Sequence, residues 1–225
     1  MSRRPAPAPP RPRRALVAAR AAAALLLAAP AARADRYEAS LHATAGGGLA
    51  QVAQEGAATT ATATTVGASA RLSHAWRDRL AWDVQLAGAL VAPATFAAVD
   101  TTVAGRPVRA DLTRRTRTIA LQLGAQLRLG TRWIPTLRLA VGPQLRHRSG
   151  VTVDGGGQIP ARLDVDAAAT VGLGLERRLG AHLLVGLAVE ATRARPVFGG
   201  AGLATVGLTV TVSRAWYPRI WGPTW

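Results

Sequence analysis

The stretch IALQLGAQLRL, residues 119–129, alternates apolar side chains with small or polar ones at every second position. Its leucines and Ile119 share one parity, whereas Gln122, Gln126 and Arg128 share the other. Successive side chains of a β-strand point to opposite faces of the sheet. The pattern therefore predicts a strand with one apolar face and one polar face.

The same alternation recurs seven more times along the chain. Each segment is about 10 residues long, the length that a tilted strand needs to cross a bilayer. The pattern therefore predicts eight strands of similar design. The eight segments are residues 37–45, 65–76, 80–90, 119–129, 133–145, 164–176, 182–192 and 206–213.

The connections between these segments alternate between long and short. Three-residue turns at 77–79, 130–132 and 178–180 follow the second, fourth and sixth segments, and long connections such as Ala92 to Arg115 follow the odd-numbered ones. Short periplasmic turns, long outer loops and an even strand number are typical of outer-membrane barrels. On this pattern residues 36–216 resemble the small OmpA/OmpX-type barrel proteins.

This resemblance implies an all-β fold, an eight-stranded antiparallel up-and-down transmembrane β-barrel over residues 35–216. Both ends of the barrel would then face the periplasm, and residues 217–225 would form a periplasmic tail. The resemblance also implies integral location in the outer membrane, insertion by the barrel-assembly machinery and a monomeric state.

The first 34 residues predict a cleaved secretory signal. Residues 3–14 are rich in Arg and Pro, 15–29 form an apolar run interrupted by Arg20, and Ala32-Arg33-Ala34 supplies small residues before Asp35. This is the order of a positive region, an apolar region and a cleavage site. A barrel protein must reach the outer membrane by export, so the two predictions agree.

The net charge of +16 suggests nucleic acid as a partner. Seven arginines and no acids lie in residues 1–34, however, and without them the net charge falls to +9. No basic helix or aromatic-rich RNA-binding motif remains, so we expect no nucleic-acid partner. The chain has no Cys, which excludes disulfides and Cys-ligated metals, and we expect no metal and no cofactor.

The position of the aromatic residues predicts which face meets lipid. Tyr37, Trp76, Trp82, Trp133 and Trp216 share the apolar parity and lie at the short-turn end. One ring of aromatics at one end is typical of the periplasmic girdle of a membrane barrel. A soluble lipocalin-like carrier, the main alternative fold, would instead direct its apolar face inward. The girdle at the outer end is thin, with only Phe96 and Phe198 available.

The opposite face carries charges of both signs, which would fill the narrow interior of an eight-stranded barrel. If the hairpins are tight, Arg71 faces Gln85 and lies diagonal to Asp83, and Glu176 faces His182. Buried charges must be paired, so we predict an interior salt-bridge network, and a narrow pore through it is the alternative. The predicted members are Glu38, Arg71, Asp83, Arg128, Arg138, Asp164, Asp166, Glu176, His182 and Glu190.

Catalysis by such a barrel would need a histidine beside Ser, Asp or Glu near the outer rim. His42, His74, His147 and His182 fall at different depths and faces, so we predict no catalytic residues. A lipid-A-modifying enzyme remains an alternative, favoured if His147 lies beside a Ser or a carboxylate. Without such a catalytic site, we predict a structural role or an interaction role carried by the loops.

Arginines cluster at the outer strand ends and loops, where acids are few. Arginine suits bidentate contact with phosphate, and the outer leaflet presents the phosphates of lipopolysaccharide. Four of these arginines have the outward parity, and we predict that they contact lipopolysaccharide: Arg115, Arg117, Arg193 and Arg195.

Overall fold

The computed structural model describes residues 38–57, 60–77, 79–103, 105–153 and 157–216. The predicted signal peptide at 1–34, the girdle residue Tyr37 and the tail at 217–225 lie outside the described residues. Within those segments no helix is long and apolar enough to span a membrane.

Ten strands make up the described fold. Their bounds are β1 Ala39–Val52, β2 Ala61–Arg77, β3 Leu80–Val103, β4 Arg106–Arg128, β5 Trp133–Arg148, β6 Val151–Val153, β7 Gly157–Ile159, β8 Arg162–Arg178, β9 Leu183–Pro196 and β10 Leu203–Trp216.

Eight of these strands form a closed antiparallel barrel in the order β1-β10-β9-β8-β5-β4-β3-β2. The first and last strands close it in register from Ala39 opposite Trp216 to Val52 opposite Leu203. The remaining strands, β6 and β7, pair only with each other in the connection between β5 and β8. The predicted eight-stranded up-and-down barrel is therefore confirmed.

The burial of side chains shows which way the barrel faces. On β4 Leu121 and Leu123 are 50% and 63% exposed, whereas the intervening Gln122 is 3% exposed. The other barrel strands repeat this alternation, with leucines and valines outside and polar residues inside. The lipocalin-like alternative requires the opposite orientation and is wrong. An exposed apolar band around a polar interior is the pattern of a transmembrane barrel.

The predicted long connection from Ala92 to Arg115 is in fact mostly strand. β3 and β4 continue as one hairpin to Val103 and Arg106, far beyond the apolar band. Two bulges, between Val91 and Ala94 and between Phe96 and Val99, interrupt the pairing. Each bulge changes which parity points inward, because an inserted residue shifts the alternation.

These bulges overturn the prediction for Phe96. The side chain is 2% exposed and lies inside the barrel, so it is not part of an outer aromatic girdle. It packs with Val99 and Leu112 of the extended hairpin and with Val153 of β6. Phe198, by contrast, is 87% exposed in the connection between β9 and β10.

The turn between β8 and β9 is longer than the sequence predicts. Arg178 pairs with Leu184, and Glu176 pairs with Gly186 rather than facing His182. Gly180 has a φ of +123° in this turn, a conformation that L side chains rarely adopt. The turn between β4 and β5 is also longer, since β4 ends at Arg128 and Leu129 is buried instead of facing outward.

Pro143 lies inside strand β5, away from either end. Pro143 pairs with Ala167 of β8, whereas toward β4 the ladder is interrupted between the pairs Ala120–Gln144 and Leu123–Val141. Proline lacks the N–H that this ladder would need. The adjacent Gly142 lies so close to β4 that an added Cβ would be 2.0 Å from the carbonyl oxygen of Leu121.

We predict that Gly142→Ala destabilises the barrel by about 1–3 kcal/mol, because the backbones must separate where the ladder is already interrupted. The measurement is the urea midpoint of the folded, faster-migrating gel band in detergent. Gly88→Ala is the matched control, since a Cβ there meets only the Thr118 oxygen at 3.8 Å. Equal midpoints for both variants would contradict the close approach at Gly142.

Candidate functional site

The inner wall near the short-turn end carries a dense group of charged residues from six strands and the residue before β1. We call it the lower cluster. All its members except the half-buried Arg178 are buried. The lower cluster consists of Glu38, His42, Arg71, Asp83, Arg128, Arg138, Glu176 and Arg178.

The pair with the most hydrogen bonds in the lower cluster joins Arg138 of β5 to Asp83 of β3. The guanidinium donates from Nη2 to Oδ1 at 2.6 Å and from Nε to both carboxylate oxygens at 3.0–3.1 Å. Strand β4 lies between these two strands, and Gly124 is the β4 residue opposite Asp83. A Cβ at Gly124 would be 2.8 Å from Asp83 Oδ1, so the missing side chain gives the pair its room.

A second set of pairs links opposite sides of the barrel. Arg128 donates to Glu38 at 3.0 Å and to Glu176 at 3.4 Å. Arg178 also donates to Glu38, and Arg71 lies 3.7 Å from Glu176. Since each carboxylate contacts two arginines, the pairs connect β4, β8 and β2 with the residue before β1. Paired in this way, the charges avoid the cost of isolated buried ions.

His42 joins this cluster to two serines. Its Nε2 lies 2.8 Å from Ser73 Oγ and its Nδ1 lies 2.6 Å from Ser213 Oγ. Glu176 Oε1 is 3.7 Å from the same Nδ1. Serine, histidine and glutamate are the components of a hydrolytic triad. Here the imidazole is fully buried and both serines are 1% exposed, so a substrate has no access to them.

Apolar side chains lie beside the lower cluster at the short-turn end, where Ile134 pairs with Glu176 and Leu184 with Arg178. These side chains have the inward parity of their strands and are at most 4% exposed. Ile134, Leu184 and Ala215 pack together there, and Ala75 and Ala81 are buried at the same end. We call these apolar side chains the floor. Together with the buried charges beside it, the floor fills the interior at the short-turn end.

The middle of the barrel is polar and mostly uncharged. Gln85 donates to Ser69, which lies 2.6 Å from Thr44, and Gln122 donates to Thr170. Beside these side chains is a cavity of about 150 Å³. Glu190 lines it, half-buried, and makes no ion pair with any described residue.

A second charged group, the upper cluster, lies at the outer end on the β5–β8 side. Arg146 contacts Asp166 through Nε and Nη2, both at 3.1 Å. Arg148 and Arg162 contact Asp164 at 2.8 and 2.7 Å, and Arg162 also contacts Glu55. Arg114 of β4 is the remaining member, and burial together with the charges of Arg148 and Arg162 lowers its pKa.

The outer end is otherwise closed by an apolar layer, which we call the cap. It draws on all barrel strands except β5 and on β6 of the outer hairpin. Its buried members are Ala50, Val52, Ala63, Val91, Ala94, Phe96, Val99, Leu112, Val153, Ala168, Ala194 and Leu203.

Eight of the ten predicted interior residues lie in one of the two charged clusters, and His182 and Glu190 lie outside both. Glu38, Arg71, Asp83, Arg128, Arg138 and Glu176 meet in the lower cluster, and Asp164 and Asp166 lie in the upper cluster.

His182 is the error: it is exposed, and its Nδ1 lies 3.1 Å from the Ala215 carbonyl oxygen. Its pairing with Glu176 fails because the β8–β9 register is shifted. Glu190 lies apart from the ion pairs. The predicted register of Arg71 with Gln85 is observed, but Asp83 pairs with Arg138 rather than with Arg71.

Sequence reasoning missed the role of His42 and the contacts of Arg148, Arg162 and Arg178. All four have the parity of known inward neighbours, and His42 pairs directly with Ser213 in the closing ladder. The alternation along each strand could therefore have identified these four side chains as inward-facing. The contacts across the barrel depend on strand order and shear, which parity does not give.

The outer rim presents Arg115, Arg117, Arg193 and Arg195 on the outside of β4 and β9. All four side chains are exposed, and none forms an ion pair with a described residue. They lie just beyond the outward apolar residues Ile119 and Val189.

The four described tryptophans lie exposed on the outer surface near the short-turn end. Arg77 lies over the ring of Trp76 at 5.1 Å and Arg177 over the ring of Trp133 at 5.0 Å. His74 packs edge-on against Trp82. These contacts place cations beside aromatic rings at one edge of the apolar band, whose other edge holds the rim arginines.

These features define the class of protein: an integral outer-membrane β-barrel with a closed, polar interior. Within the described residues no group of three or more His, Asp or Glu is arranged to hold a metal ion.

Comparison with solved structures returns small outer-membrane barrels. Neisserial surface protein A has 11% identity and a TM-score of 0.49, covering 80% of this chain and 97% of its own. The attachment invasion locus protein Ail of Yersinia pestis has 12% identity and a TM-score of 0.43, with 79% and 99% covered. OprG of Pseudomonas aeruginosa has 13% identity and a TM-score of 0.40, with 82% and 98% covered. No protein-family model and no curated protein sequence matches the chain.

We predict that Asp83→Ala lowers the free energy of unfolding by about 3–5 kcal/mol, because Arg138 is left as an unpaired buried cation. Urea titration of the detergent-folded protein, followed by tryptophan fluorescence, measures this. Replacing both partners, as Asp83→Ala with Arg138→Met, should recover most of the loss.

The matched control is Asp100→Ala, which breaks an exposed pair with Arg109 at 3.9 Å. Exposed pairs contribute about 0–1 kcal/mol, so its unfolding curve should nearly overlay that of the parent. If Asp83→Ala and Asp100→Ala behave alike, the interior pair does not stabilise the barrel.

Proposed function

We propose that this chain is a non-enzymatic outer-membrane barrel whose outer rim binds the phosphate groups of lipopolysaccharide. The observation that supports it is the position of four exposed, unpaired arginines at the outer edge of the apolar band: Arg115, Arg117, Arg193 and Arg195. The barrel-assembly machinery as insertion partner and a monomeric state belong to the same proposal.

The rim arginines form two pairs on β4 and β9, with β5 and β8 between them. Neighbouring strands lie about 4.8 Å apart, so the pairs are separated by about 14 Å across the barrel wall. Within each pair the two residues differ by two positions and share the outward face. Each pair can hold one phosphate group through bidentate contacts, and the arginines have no carboxylate to compete with it.

The architecture beyond the membrane supports a role in interaction rather than catalysis. The β3–β4 hairpin extends to Val103 and Arg106, and the β6–β7 hairpin lies beside it. His147, the histidine of the outer rim, is exposed and has no side-chain partner among the described residues. His42 has serine and glutamate partners but is sealed inside the barrel. Neither histidine supports a lipid-A-modifying activity.

The interior does not favour the narrow-pore alternative. The floor and the buried charges of the lower cluster fill the interior at the short-turn end, and the cap lies above the central cavity of about 150 Å³. The floor and the cap are both apolar and present few groups to replace the hydration of an ion.

We predict that replacing the four rim arginines by glutamine lowers lipopolysaccharide binding at least about tenfold, equivalent to about 1.4 kcal/mol. The four positively charged phosphate contacts are lost, while fold and neighbouring apolar surface are unchanged. The measurement is lipopolysaccharide retained by the purified barrel, together with the rise in its unfolding temperature when lipopolysaccharide is added.

The control variant replaces four exposed arginines at the short-turn end, Arg79, Arg132, Arg177 and Arg214, and so removes the same charge. It should retain lipopolysaccharide binding, because these residues face the inner leaflet. Equal loss in both variants would indicate non-specific charge attraction, and unchanged binding in the rim variant would refute the proposal.

A further inference from the structure

Arg114 lies on the inner wall of the barrel, above the lipid-facing part of β4. It pairs in register with Ala94 of β3. Two residues further along, Thr116 pairs with Arg148 of β5, and Arg148 pairs with Arg162 of β8. Three arginines therefore follow each other across adjoining strands on one side of the outer mouth.

Arg114 differs from the other interior arginines because it has no partner. It is 6% exposed, and its Nε is buried without a hydrogen bond. It forms no ion pair and no side-chain hydrogen bond within the described part of the chain. A buried polar group without a partner is unfavourable, and a bound ion is one of the ways in which such a group is satisfied.

The carboxylates of the upper cluster are already engaged. Asp164 contacts Arg148 at 2.8 Å and Arg162 at 2.7 Å, and lies 3.7 Å from Arg146. Asp166 is held by Arg146, and Glu55 contacts Arg162. Four arginines thus face three carboxylates in this cluster.

Several donors in the cluster are unused. Arg148 Nε and Arg146 Nη1 are buried without an acceptor, as is Arg114 Nε. Asp164 Oδ2 and Asp166 Oδ2 also make no hydrogen bond, but both already lie within ion-pair distance of arginines other than Arg114. A ligand that satisfies these donors would be a small group with negative charge and several acceptor oxygens. A carboxylate side chain supplies two oxygens, whereas a tetrahedral oxyanion supplies three or four. Like-charged arginines close together also favour such an anion, because it relieves their mutual repulsion.

We propose that Arg114, with Arg148 and Arg162, forms an oxyanion site inside the outer mouth of the barrel, and that its ligand is a phosphate or sulfate group. Arg114 supplies the unpaired charge, and Arg148 and Arg162 supply donors beside it while remaining bound to Asp164. The site is separate from the rim arginines, which face lipid on the outside of the wall.

The test measures the unfolding temperature of the detergent-folded barrel with inorganic phosphate, inorganic sulfate, a sugar phosphate, or chloride at equal ionic strength. We expect at least one oxyanion to raise the midpoint by about 2–4 °C over chloride, since a ligand that binds only the folded state stabilises it. A response to the sugar phosphate alone identifies a glycan-linked phosphate, and a response to inorganic phosphate or sulfate identifies the free anion.

Arg114→Gln should lose this response, and its midpoint in chloride should rise because the unpaired cation is gone. Arg109→Gln, on an exposed side chain of the same strand, is the control and should respond like the parent. Arg114→Lys covers the case in which the glutamine variant does not fold, and its affinity should fall several-fold. If no oxyanion exceeds chloride, or if the Arg114 variants respond like the parent, the proposal is wrong.

Discussion

Hydrocarbon offers no hydrogen-bond partner to a backbone amide, and this constraint determines the rest of the structure. A sheet satisfies it only by closing, and the β1–β10 ladder closes this one in register from Ala39 to Leu203. Closure with eight strands makes the interior narrow. Because alternate side chains then point into a space with little water, each inward charge needs a partner within reach. The paired lower cluster is the consequence.

The narrow interior also explains why long arginine side chains lie next to glycines. The sequence contains arginine but no lysine. An arginine side chain is long enough to cross the width of a strand. Arg138 reaches past β4 to Asp83 because Gly124 leaves the space between them empty. At Gly142 the same lack of a side chain allows two backbones to approach beside Pro143. Gly124 therefore leaves the space that the Arg138 side chain occupies, and Gly142 leaves the space that lets the β4 and β5 backbones approach.

Much of the fold could be predicted because alternation is a local property. The strand faces, the closure and the register of Arg71 with Gln85 follow from parity and tight turns. The errors arise where parity is interrupted. Two bulges direct Phe96 inward, and a longer turn separates His182 from Glu176. Contacts across the barrel, such as Arg138 with Asp83 or Arg128 with Glu38, join strands that are not neighbours, and a local pattern does not relate them.

The buried charges are paired differently at the two ends of the interior. This difference indicates that the outer end is the one that binds a ligand. Below the cavity, each carboxylate of Glu38 and Glu176 bridges arginines, and the floor packs beside the group. Near the outer mouth, Asp164 already contacts three arginines and Arg114 has no acceptor. The ratio of charges does not distinguish the two ends, since four arginines face three carboxylates in each cluster. In the lower cluster every arginine contacts a carboxylate, whereas Arg114 near the outer mouth contacts none among the described residues. A ligand arriving from outside the cell would supply the anion that Arg114 lacks.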